Sequence, residues 1–297
     1  MSPATFISLC TVRLECTRYD GSISVGTAFF YIAEVWVNGS VGKISMLITN
    51  KHVIQNCNSA QFQLTLCDEN SNVDEKCAAE NESQAILRFN NLADRTFVHP
   101  DPHVDLCAII AADVSELVLS KSRNSRNSHL SSEDRISQTA LENIRVIEPI
   151  AMIGYPSGLW DSVANRPLIR RGVTASHPLL PWNGKREFVI DAACFPGSSG
   201  SPVFLYEDQL YRNDHGSYSP GTRAQLIGVL SSGPTIDQSG KIIVRNIPTS
   251  MEPVPIVPSM MNLGYVIHAD AIDDLLPIIG AAIENGHCYT QAQITLL

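Results

Sequence analysis

The sequence predicts an all-β protein of two halves, with a linker between them and one helix at the C-terminal end. Short segments rich in Val, Ile, Thr and aromatic residues alternate with turn signals through both halves. Residues 121–135 lack apolar periodicity and predict the linker, whereas residues 269–283 have helical spacing. This pattern is typical of paired antiparallel barrels. We therefore expect an N-terminal barrel over 1–120, and a C-terminal barrel with its helix over 136–297.

The individual strands follow from β-branched and apolar runs bounded by turn residues. In the first half the predicted strands are 6–14, 22–34, 43–49, 61–66, 84–89 and 104–111. In the second half they are 148–154, 169–175, 187–193, 203–205, 224–231 and 263–267. Asn38-Gly39 and residues 182–185 predict hairpin turns. The Pro-rich segment 248–258 predicts a long loop before the last strand.

Charge and hydropathy exclude several classes of function. The formal net charge of the 297 residues is −9 and no basic stripe is present, which argues against a nucleic-acid partner. The sequence contains no run of 18 apolar residues, so no membrane span is expected. The first ten residues lack the basic and apolar regions of a secretion signal. We expect a cytoplasmic protein that binds neither nucleic acid nor membrane.

The eight cysteines predict reduced thiols rather than a disulfide framework or a metal site. None forms a C-x-x-C pair, and zinc sites usually bring their ligands in close pairs. The even spacing of Cys57, Cys67 and Cys77 is therefore a weak metal signal. Cys107 and Cys194 lie in apolar strand patterns and are expected to be buried and inert. We expect no metal and no cofactor.

The most informative stretch is residues 197–202 (GSSGSP), a small-residue turn between two predicted strands. A serine flanked by glycines on such a turn holds its hydroxyl exposed, and neighbouring backbone N–H groups converge on one point. A nucleophile and an oxyanion hole in one loop need both features. Taken alone, however, the loop is better interpreted as a surface Gly/Ser turn.

Two further residues favour catalysis. His52 is predicted at the end of one strand and Asp105 at the beginning of another, and Ser199 lies in the glycine turn. Their order along the chain is His, Asp, Ser, which is one of the few orders in which such triads occur.

The chain here resembles the trypsin-like, chymotrypsin-fold serine peptidases. The run TNKHV around His52 is similar to the family's Thr-Ala-Ala-His motif, and Asp105-Leu106 to its Asp-Leu/Ile-Ala strand. Residues 197–202 resemble its Gly-x-Ser-Gly-Gly/Ser-Pro loop, and residues 228–233 resemble its cleft strand. The resemblance spans roughly residues 20–280 and implies two six-stranded antiparallel β-barrels with a C-terminal α-helix.

The resemblance also implies a role for each site residue. Ser199 is the expected nucleophile, His52 its general base and acid, and Asp105 the group that orients the imidazole. The backbone N–H groups of Gly197 and Ser199 are expected to form the oxyanion hole.

Substrate binding is implied by the same resemblance. Ser231 is expected to hydrogen-bond Asp105, and the cleft strand to pair with an extended peptide as an added strand. Ala193 lies where the family has its pocket floor, so no carboxylate is expected there and a small or apolar P1 residue is preferred. The expected substrate-binding residues are Ala193, Ser231, Ser232, Gly233 and Gly264.

Other residues compete for these roles. Their proline neighbours favour a surface loop for His99 and His103, and the Gly-x-Ser-Gly register favours Ser199 over Ser198. Asp94 and Asp101 lie in turn-like sequence. His268 follows the last strand, and Cys194 lacks the glycine turn that a nucleophile needs.

Departures from the secreted members indicate an intracellular, bacterial type without disulfides. Val53 and Phe195 stand where those members carry bridged cysteines, and Ser198 where they carry the aspartate that pairs with a new N-terminus. We therefore expect no zymogen cleavage of that kind, as in the bacterial high-temperature-requirement branch. Control is then expected from loop ordering, a partner or self-cleavage. Candidate control loops are 121–135, 206–223 and 248–260.

The sequence thus predicts a serine endopeptidase that binds a protein or peptide substrate as an extended strand. Two alternatives stay open: a latent or non-catalytic peptide-binding module on the same fold, and an esterase. An activating or regulatory protein partner also stays open.

Overall fold

The computed structural model describes residues 1–68, 82–213, 216–239 and 256–297. Cys77 and residues 248–255 of the predicted Pro-rich loop lie outside these ranges. The described chain is predominantly β, and none of the helices in it is long and apolar enough to span a bilayer.

The N-terminal half forms a nine-stranded sheet. Its strands are β1 (Thr11–Arg18), β2 (Ile23–Val37), β3 (Ser40–Thr49), β4 (Cys57–Asp68), β5 (Ser83–Phe89), β6 (Thr96–Val98), β7 (Cys107–Ile110), β8 (Arg123–Ser125) and β19 (Gln293–Leu296). The order is β19-β5-β4-β1-β2-β3-β7-β6, and β8 also pairs with β4. The predicted turn at Asn38-Gly39 is confirmed, since Val37 pairs with Ser40 across it.

The C-terminal half contains the closed barrel that the sequence predicts. Its strands are β9 (Pro149–Gly154), β10 (Leu168–Thr174), β11 (Glu187–Asp191), β12 (Pro202–Glu207), β15 (Arg223–Ser232) and β18 (Leu263–His268). They close in the order β10-β11-β18-β15-β12-β9, all antiparallel. Two hairpins are separate from this barrel: β13 (Leu210–Arg212) with β14 (Tyr218–Pro220), and β16 (Thr235–Ser239) with β17 (Ile256–Met260).

A six-stranded barrel in the N-terminal half is not confirmed. The sheet there gains β8 from the predicted linker and β19 from the C-terminal end, and no pair joins β6 to β19 among the described residues. The length and composition of a strand do not reveal which strand it pairs with. The pairings of β8 with β4 and of β19 with β5 join separate parts of the chain and therefore could not be predicted.

The helices are short. They are α1 (Pro3–Ser8), α2 (Lys51–Ile54), α3 (Ala112–Leu119), α4 (Gln138–Glu142) and α5 (Leu276–Glu284). The first one corrects the strand predicted over 6–14, whose first residues are helical. Ser2 caps α1 by accepting a hydrogen bond from Thr5 N at 3.2 Å, and Pro3 stands at its first position.

The predicted linker is packed against the first sheet. β8 lies within it, Leu130 is fully buried, and Leu130 N donates to Phe30 O at 2.9 Å. The division of the chain into 1–120 and 136–297 stays a prediction.

The largest apolar cluster lies between the sheet and the barrel, and we call it the interface core. The sheet contributes Phe29 and Met46, the barrel contributes Phe204 and Ile267, and the C-terminal helical segment contributes Ile272. Each of these side chains is at most 1% exposed. Burial of one such side chain stabilises the fold by about 1.5–3 kcal/mol, so this cluster holds the two halves together.

The C-terminal segment packs on the N-terminal sheet. A 3₁₀ helix (Ala269–Leu275) continues into α5, which approaches β2 so closely that a Cβ at Gly280 would lie 2.8 Å from Trp36 O. This contact requires glycine, because any larger residue would push the helix off the strand. The predicted C-terminal helix is confirmed, although its first two turns are 3₁₀.

Arg95 anchors the tail that follows α5. Its side chain is fully buried, donates to Ile110 O at 2.7 Å and to the Thr290 carbonyl, and forms an ion pair with Asp113 at 3.1 Å. The guanidinium also lies over the rings of Phe89 and Tyr289. The same Asp113 carboxylate accepts a hydrogen bond from the tail at Ala292 N, 2.8 Å away.

We expect Arg95→Ala to lower the free energy of unfolding by about 3–5 kcal/mol, because it removes a fully buried side chain and leaves the partly buried Asp113 carboxylate without its cation. Urea denaturation measures this loss. Lys43→Ala, at an exposed strand position, is the matched control and is expected to stay within about 0.5 kcal/mol of wild type. Equal midpoints for the two variants would contradict the anchoring role.

Candidate active site

Three segments bring the predicted triad residues to the seam between sheet and barrel. His52 lies in α2, directly after β3; Asp105 lies two residues before β7; Ser199 lies in the loop between β11 and β12. The prediction that His52 ends a strand is wrong, because His52 lies in the short helix after that strand. The extended chain ends at Asn50, and Val53 N donates a hydrogen bond to Asn50 O at 3.3 Å. The strand predicted from residue 104 begins only at Cys107.

His52 and Asp105 form a two-point contact. The Nδ1 atom of His52 lies 2.5 Å from Asp105 Oδ2, and the His52 backbone N–H donates to Oδ1 at 3.1 Å. The carboxylate therefore sets Nδ1 as the protonated nitrogen and leaves Nε2 as an acceptor. The His52 side chain is 43% exposed, so a substrate can reach that nitrogen. Ser231 Oγ donates to Asp105 Oδ2 at 3.3 Å, as the resemblance implies.

Asn50 is a site residue that sequence reasoning missed. It is fully buried, and its Nδ2 donates to the Asp105 backbone carbonyl at 2.7 Å. This bond ties the segment before His52 to the backbone of the residue that contacts His52. The sequence signal for Asn50 is that of an ordinary helix N-cap, yet its side chain makes no cap bond.

The Ser199 turn depends on two glycines with positive φ. Gly197 has φ +88° and Gly200 has φ +86°, and a Cβ at Gly200 would lie 2.0 Å from Thr27 O. Only glycine fits this close approach. Ser198 is 1% exposed with its hydroxyl unpaired among the described residues, whereas Ser199 is half-buried. The turn thus directs Ser198 inward and leaves Ser199 accessible.

The backbone of this turn has two unused donors. Ser157 N donates to Pro196 O at 2.5 Å and Ser198 N to Phe195 O at 3.0 Å. The N–H groups of Gly197 and Ser199 have no acceptor within the described part of the chain. The Pro196 carbonyl and the Gly197 N–H belong to the same trans peptide and point in opposite directions. Because Ser157 binds the carbonyl, the Gly197 N–H points away from Ser157.

Thr27 of β2 is the second residue that the sequence did not identify. Its N–H donates to Ser199 O at 2.8 Å, and its hydroxyl donates to Gly197 O at 3.0 Å. The same hydroxyl accepts from Tyr155 N at 3.2 Å. The Thr27 carbonyl accepts a hydrogen bond from Thr49 Oγ1 at 2.7 Å. Thr49 precedes His52 by three residues. Thr27 therefore links the histidine segment to the serine turn.

Two of the predicted substrate-binding residues, Gly233 and Gly264, lie close to Cys194. A Cβ at Gly264 would lie 2.6 Å from Cys194 Sγ, and one at Gly233 would lie 3.5 Å from Cys194 Cβ. The Ala193 carbonyl accepts a hydrogen bond from the Arg170 guanidinium, and Ser232 is exposed at the end of β15. Burial raises the pKa of Cys194 to about 11, so this thiol stays neutral.

The competing histidines occupy other environments. The expectation of a surface loop is wrong for His99, which is 3% exposed and lies with Nε2 3.1 Å from Asp274 Oδ2. That partner, far along the chain, could not be anticipated from the flanking prolines. His103 is exposed, as expected, and His268 is half-buried against the Phe188 ring. Among the described residues no cluster of His, Cys, Asp or Glu is arranged to hold a metal ion.

Comparison with known protein families identifies the family of the chain. A model of the trypsin-like peptidase domain matches residues 26–211, which include His52, Asp105 and Ser199. The match covers more than half of the chain, and the chain therefore belongs to the trypsin-like peptidase domain family. The resemblance seen in the sequence is confirmed at this level. No curated protein matches the chain in sequence.

Several solved structures are similar to the chain at low identity. One is the HtrA-type protease AlgW with a tripeptide, at 17% identity and a TM-score of 0.44, with 97% of this chain and 65% of that chain covered. Another is the serine endoprotease from Yersinia pestis, at 13% identity and 0.43, covering 97% and 68%. A third is tobacco etch virus protease with product, at 10% identity and 0.48, covering 94% and 82%. The chain thus spans less than two thirds of the AlgW chain.

We expect Thr27→Val to loosen the serine turn. Valine keeps the side-chain shape but removes the donor to Gly197 O and leaves Tyr155 N unpaired, which costs about 1–3 kcal/mol. Hydrogen exchange at residues 197–201 and urea denaturation measure the two effects.

Thr27→Ser keeps the hydroxyl and is the control, with exchange close to that of wild type. Unchanged protection of the turn in Thr27→Val would show that the hydroxyl does not hold it.

Proposed function

We propose that the protein is a serine endopeptidase that hydrolyses peptide bonds through an acyl-enzyme. The observation that supports this most is the two-point contact of the Asp105 carboxylate with His52, next to a glycine turn that exposes Ser199. Geometry of this kind orients an imidazole to accept a proton from a nucleophile. Membership in the trypsin-like peptidase domain family supports the same reaction.

In the proposed reaction, Ser199 Oγ attacks the scissile carbonyl while His52 Nε2 takes its proton. Asp105 holds the imidazole and stabilises the imidazolium that forms. His52 then gives the proton to the leaving amine, and the acyl group stays on Ser199. A water molecule, deprotonated by His52, attacks the ester and releases the second product.

The oxyanion of each tetrahedral intermediate is stabilised by the N–H groups of Gly197 and Ser199. Both donors are unused within the described chain, and the Gly197 peptide is oriented by Ser157. Each such donor contributes about 2.7–4 kcal/mol to lowering the barrier.

The substrate binds as an extended strand along residues 231–233, where β15 ends and Ser232 and Gly233 follow Ser231 at the surface. The pocket beside them takes a small or apolar P1 residue. Three features support this: Ala193 offers no carboxylate, Cys194 is neutral, and the Arg170 guanidinium at the Ala193 carbonyl repels a basic side chain.

Three finer points belong to the same proposal. The six strands that the sequence predicts in the N-terminal half, which enclose an apolar cluster around Leu64 and Phe89, act as the first barrel of the fold. The protein acts in the cytoplasm, which the free state of the seven described cysteines supports. A regulatory protein partner acts on the site through neighbouring loops.

We expect a fluorophosphonate probe to label the wild-type protein but neither Ser199→Ala nor His52→Ala, because both the nucleophile and its base are needed. Either substitution is expected to reduce peptide hydrolysis by about 10⁶-fold. The matched controls are Ser198→Ala, which removes a hydroxyl without a hydrogen bond, and His103→Ala, which removes an exposed imidazole.

Both control variants are expected to label as wild type does. Absence of wild-type labelling, in buffer and in cell lysate, would favour the non-catalytic peptide-binding module. Labelling that survives in Ser199→Ala would assign the nucleophile to another residue.

We expect digestion of a peptide library to cut after small or apolar residues and not after Arg or Lys. Arg170→Ala removes the positive charge beside Ala193 and is expected to raise the small residual cleavage after Lys. A strict basic preference in the wild-type protein would overturn the assignment of the pocket.

A further inference from the structure

Two cysteines outside the proposed triad lie next to each other in the first sheet. Cys16 is in β1 and Cys57 begins β4, the neighbouring strand; Cys16 pairs with Ala60, whereas Cys57 lies opposite Arg18, two residues further along. This diagonal position, beside a register shift at Thr17/Arg18, makes the two cysteines neighbours across the adjacent strands. Both residues belong to the same buried apolar cluster of the N-terminal sheet, and both thiols are free.

The two thiols differ in chemical character. The neighbouring Cys16 thiol lowers the pKa of Cys57 and burial opposes this shift, while Arg18 lowers the pKa further and Asp20 raises it. The interaction with Cys57 and burial both raise the pKa of Cys16. Negative charge therefore concentrates on Cys57, which makes it the more nucleophilic sulfur of the pair.

Cys57 is also the more accessible sulfur. Its residue is 6% exposed and that of Cys16 is 0% exposed, and Gln55, Asn56 and Asn58 around Cys57 are exposed. Cys57 is therefore the sulfur of the pair that a small oxidant can reach from the surface.

The pair is connected to the proposed base through the backbone. Cys57 follows α2 by two residues, and its Sγ lies 3.8 Å from Val53 O and 3.5 Å from Gln55 O. Val53 packs against β2 so tightly that a Cβ at Gly26 would lie 2.5 Å from a Val53 methyl group. A change at Cys57 is therefore transmitted to α2, which carries His52.

We propose that Cys16 and Cys57 form a reversible disulfide that reduces the reactivity of the His52–Ser199 site. The effect on the site rests on the proposed peptidase function, whereas disulfide formation does not. The oxidant is a hydroperoxide such as hydrogen peroxide.

The reaction has two balanced steps. The Cys57 thiolate attacks one peroxide oxygen, the O–O bond breaks, and the leaving hydroxide takes the thiol proton to form water and a sulfenic acid. Cys16 then attacks the Cys57 sulfur, the S–O bond breaks, and the second hydroxide leaves as water with the Cys16 proton. Two thiols and one hydrogen peroxide thus yield one disulfide and two waters. A dithiol reductant reverses the change by thiol–disulfide exchange.

The other described cysteines lack this arrangement. Cys107 is fully buried and donates to Thr49 O at 3.5 Å, and burial raises its pKa. Cys10 donates to Ile7 O at 3.0 Å and Cys67 to Asn124 O at 3.6 Å. Cys288 is exposed and alone, so it reacts with peroxide or with a second molecule.

The test uses the full chain carrying Cys288→Ser, treated with hydrogen peroxide and then alkylated. Mass spectrometry of the digest is expected to show a peptide pair linked through Cys16 and Cys57, which dithiothreitol abolishes. The rate of fluorophosphonate labelling is measured on the same samples. We expect the disulfide to reduce it by about 10²-fold, since displacing a catalytic group by about 1 Å has an effect of that size.

Cys16→Ala leaves the contacts of Cys57 with α2 in place, and Cys57→Ser keeps a donor beside Val53 O and Gln55 O. Each variant is expected to label normally and to form no linked peptide pair after peroxide treatment. Cys107→Ala is the matched control from the same apolar region and is expected to keep the peroxide response.

The two parts of the proposal fail separately. Absence of the linked peptide pair would overturn the disulfide itself. A complete disulfide with unchanged labelling would overturn its effect on the site. Absence of labelling in every sample would instead count against the peptidase function, while the mass measurement would still decide whether the disulfide forms.

Discussion

The candidate site depends on Thr27, a buried residue of the first sheet that holds a loop of the second half. Its backbone N–H and hydroxyl both bind carbonyls of the Ser199 turn, and its own carbonyl binds Thr49 just before His52. Because the proposed base and nucleophile belong to different halves, no strand pairing within either half can fix their distance. A single residue fixes that distance, because its backbone bonds to both segments and its hydroxyl adds a bond to the serine turn. Gly200, which has no Cβ, allows the turn to approach Thr27 closely.

The interface core supplies the second constraint. Apolar side chains from the sheet, the barrel and the C-terminal helical segment fill one continuous cluster, so the halves cannot separate without exposing it. Polar contacts then set the details on this apolar base. Asn50 and Ser231 approach Asp105 from opposite halves, and His99 ties the loop before Asp105 to Asp274. The acid of the proposed triad is thus held from three directions.

Much of this arrangement could be predicted from local sequence. The strands and the hairpin at Asn38 follow from short runs of neighbouring residues. Each residue of the proposed triad, His52, Asp105 and Ser199, is likewise marked by a short motif around it. What escaped prediction depends on partners far along the chain. Thr27 and Asn50 look like an ordinary strand residue and an ordinary cap until the segments they hold are in place. The burial of His99 has the same origin, because its partner Asp274 follows it by 175 residues.

The pairing of β19 with β5 has a consequence for how the protein is made. Residues 293–296 complete a sheet whose other strands leave the ribosome much earlier. During synthesis the edge of β5 therefore lacks its partner strand. Arg95 likewise lacks the Thr290 carbonyl and the Tyr289 ring until the end of the chain has been made. The first half of the nascent chain can collapse but not mature until the barrel has emerged behind it. Such an unpaired edge invites wrong pairing with another chain, so the order of translation itself exposes this fold to aggregation.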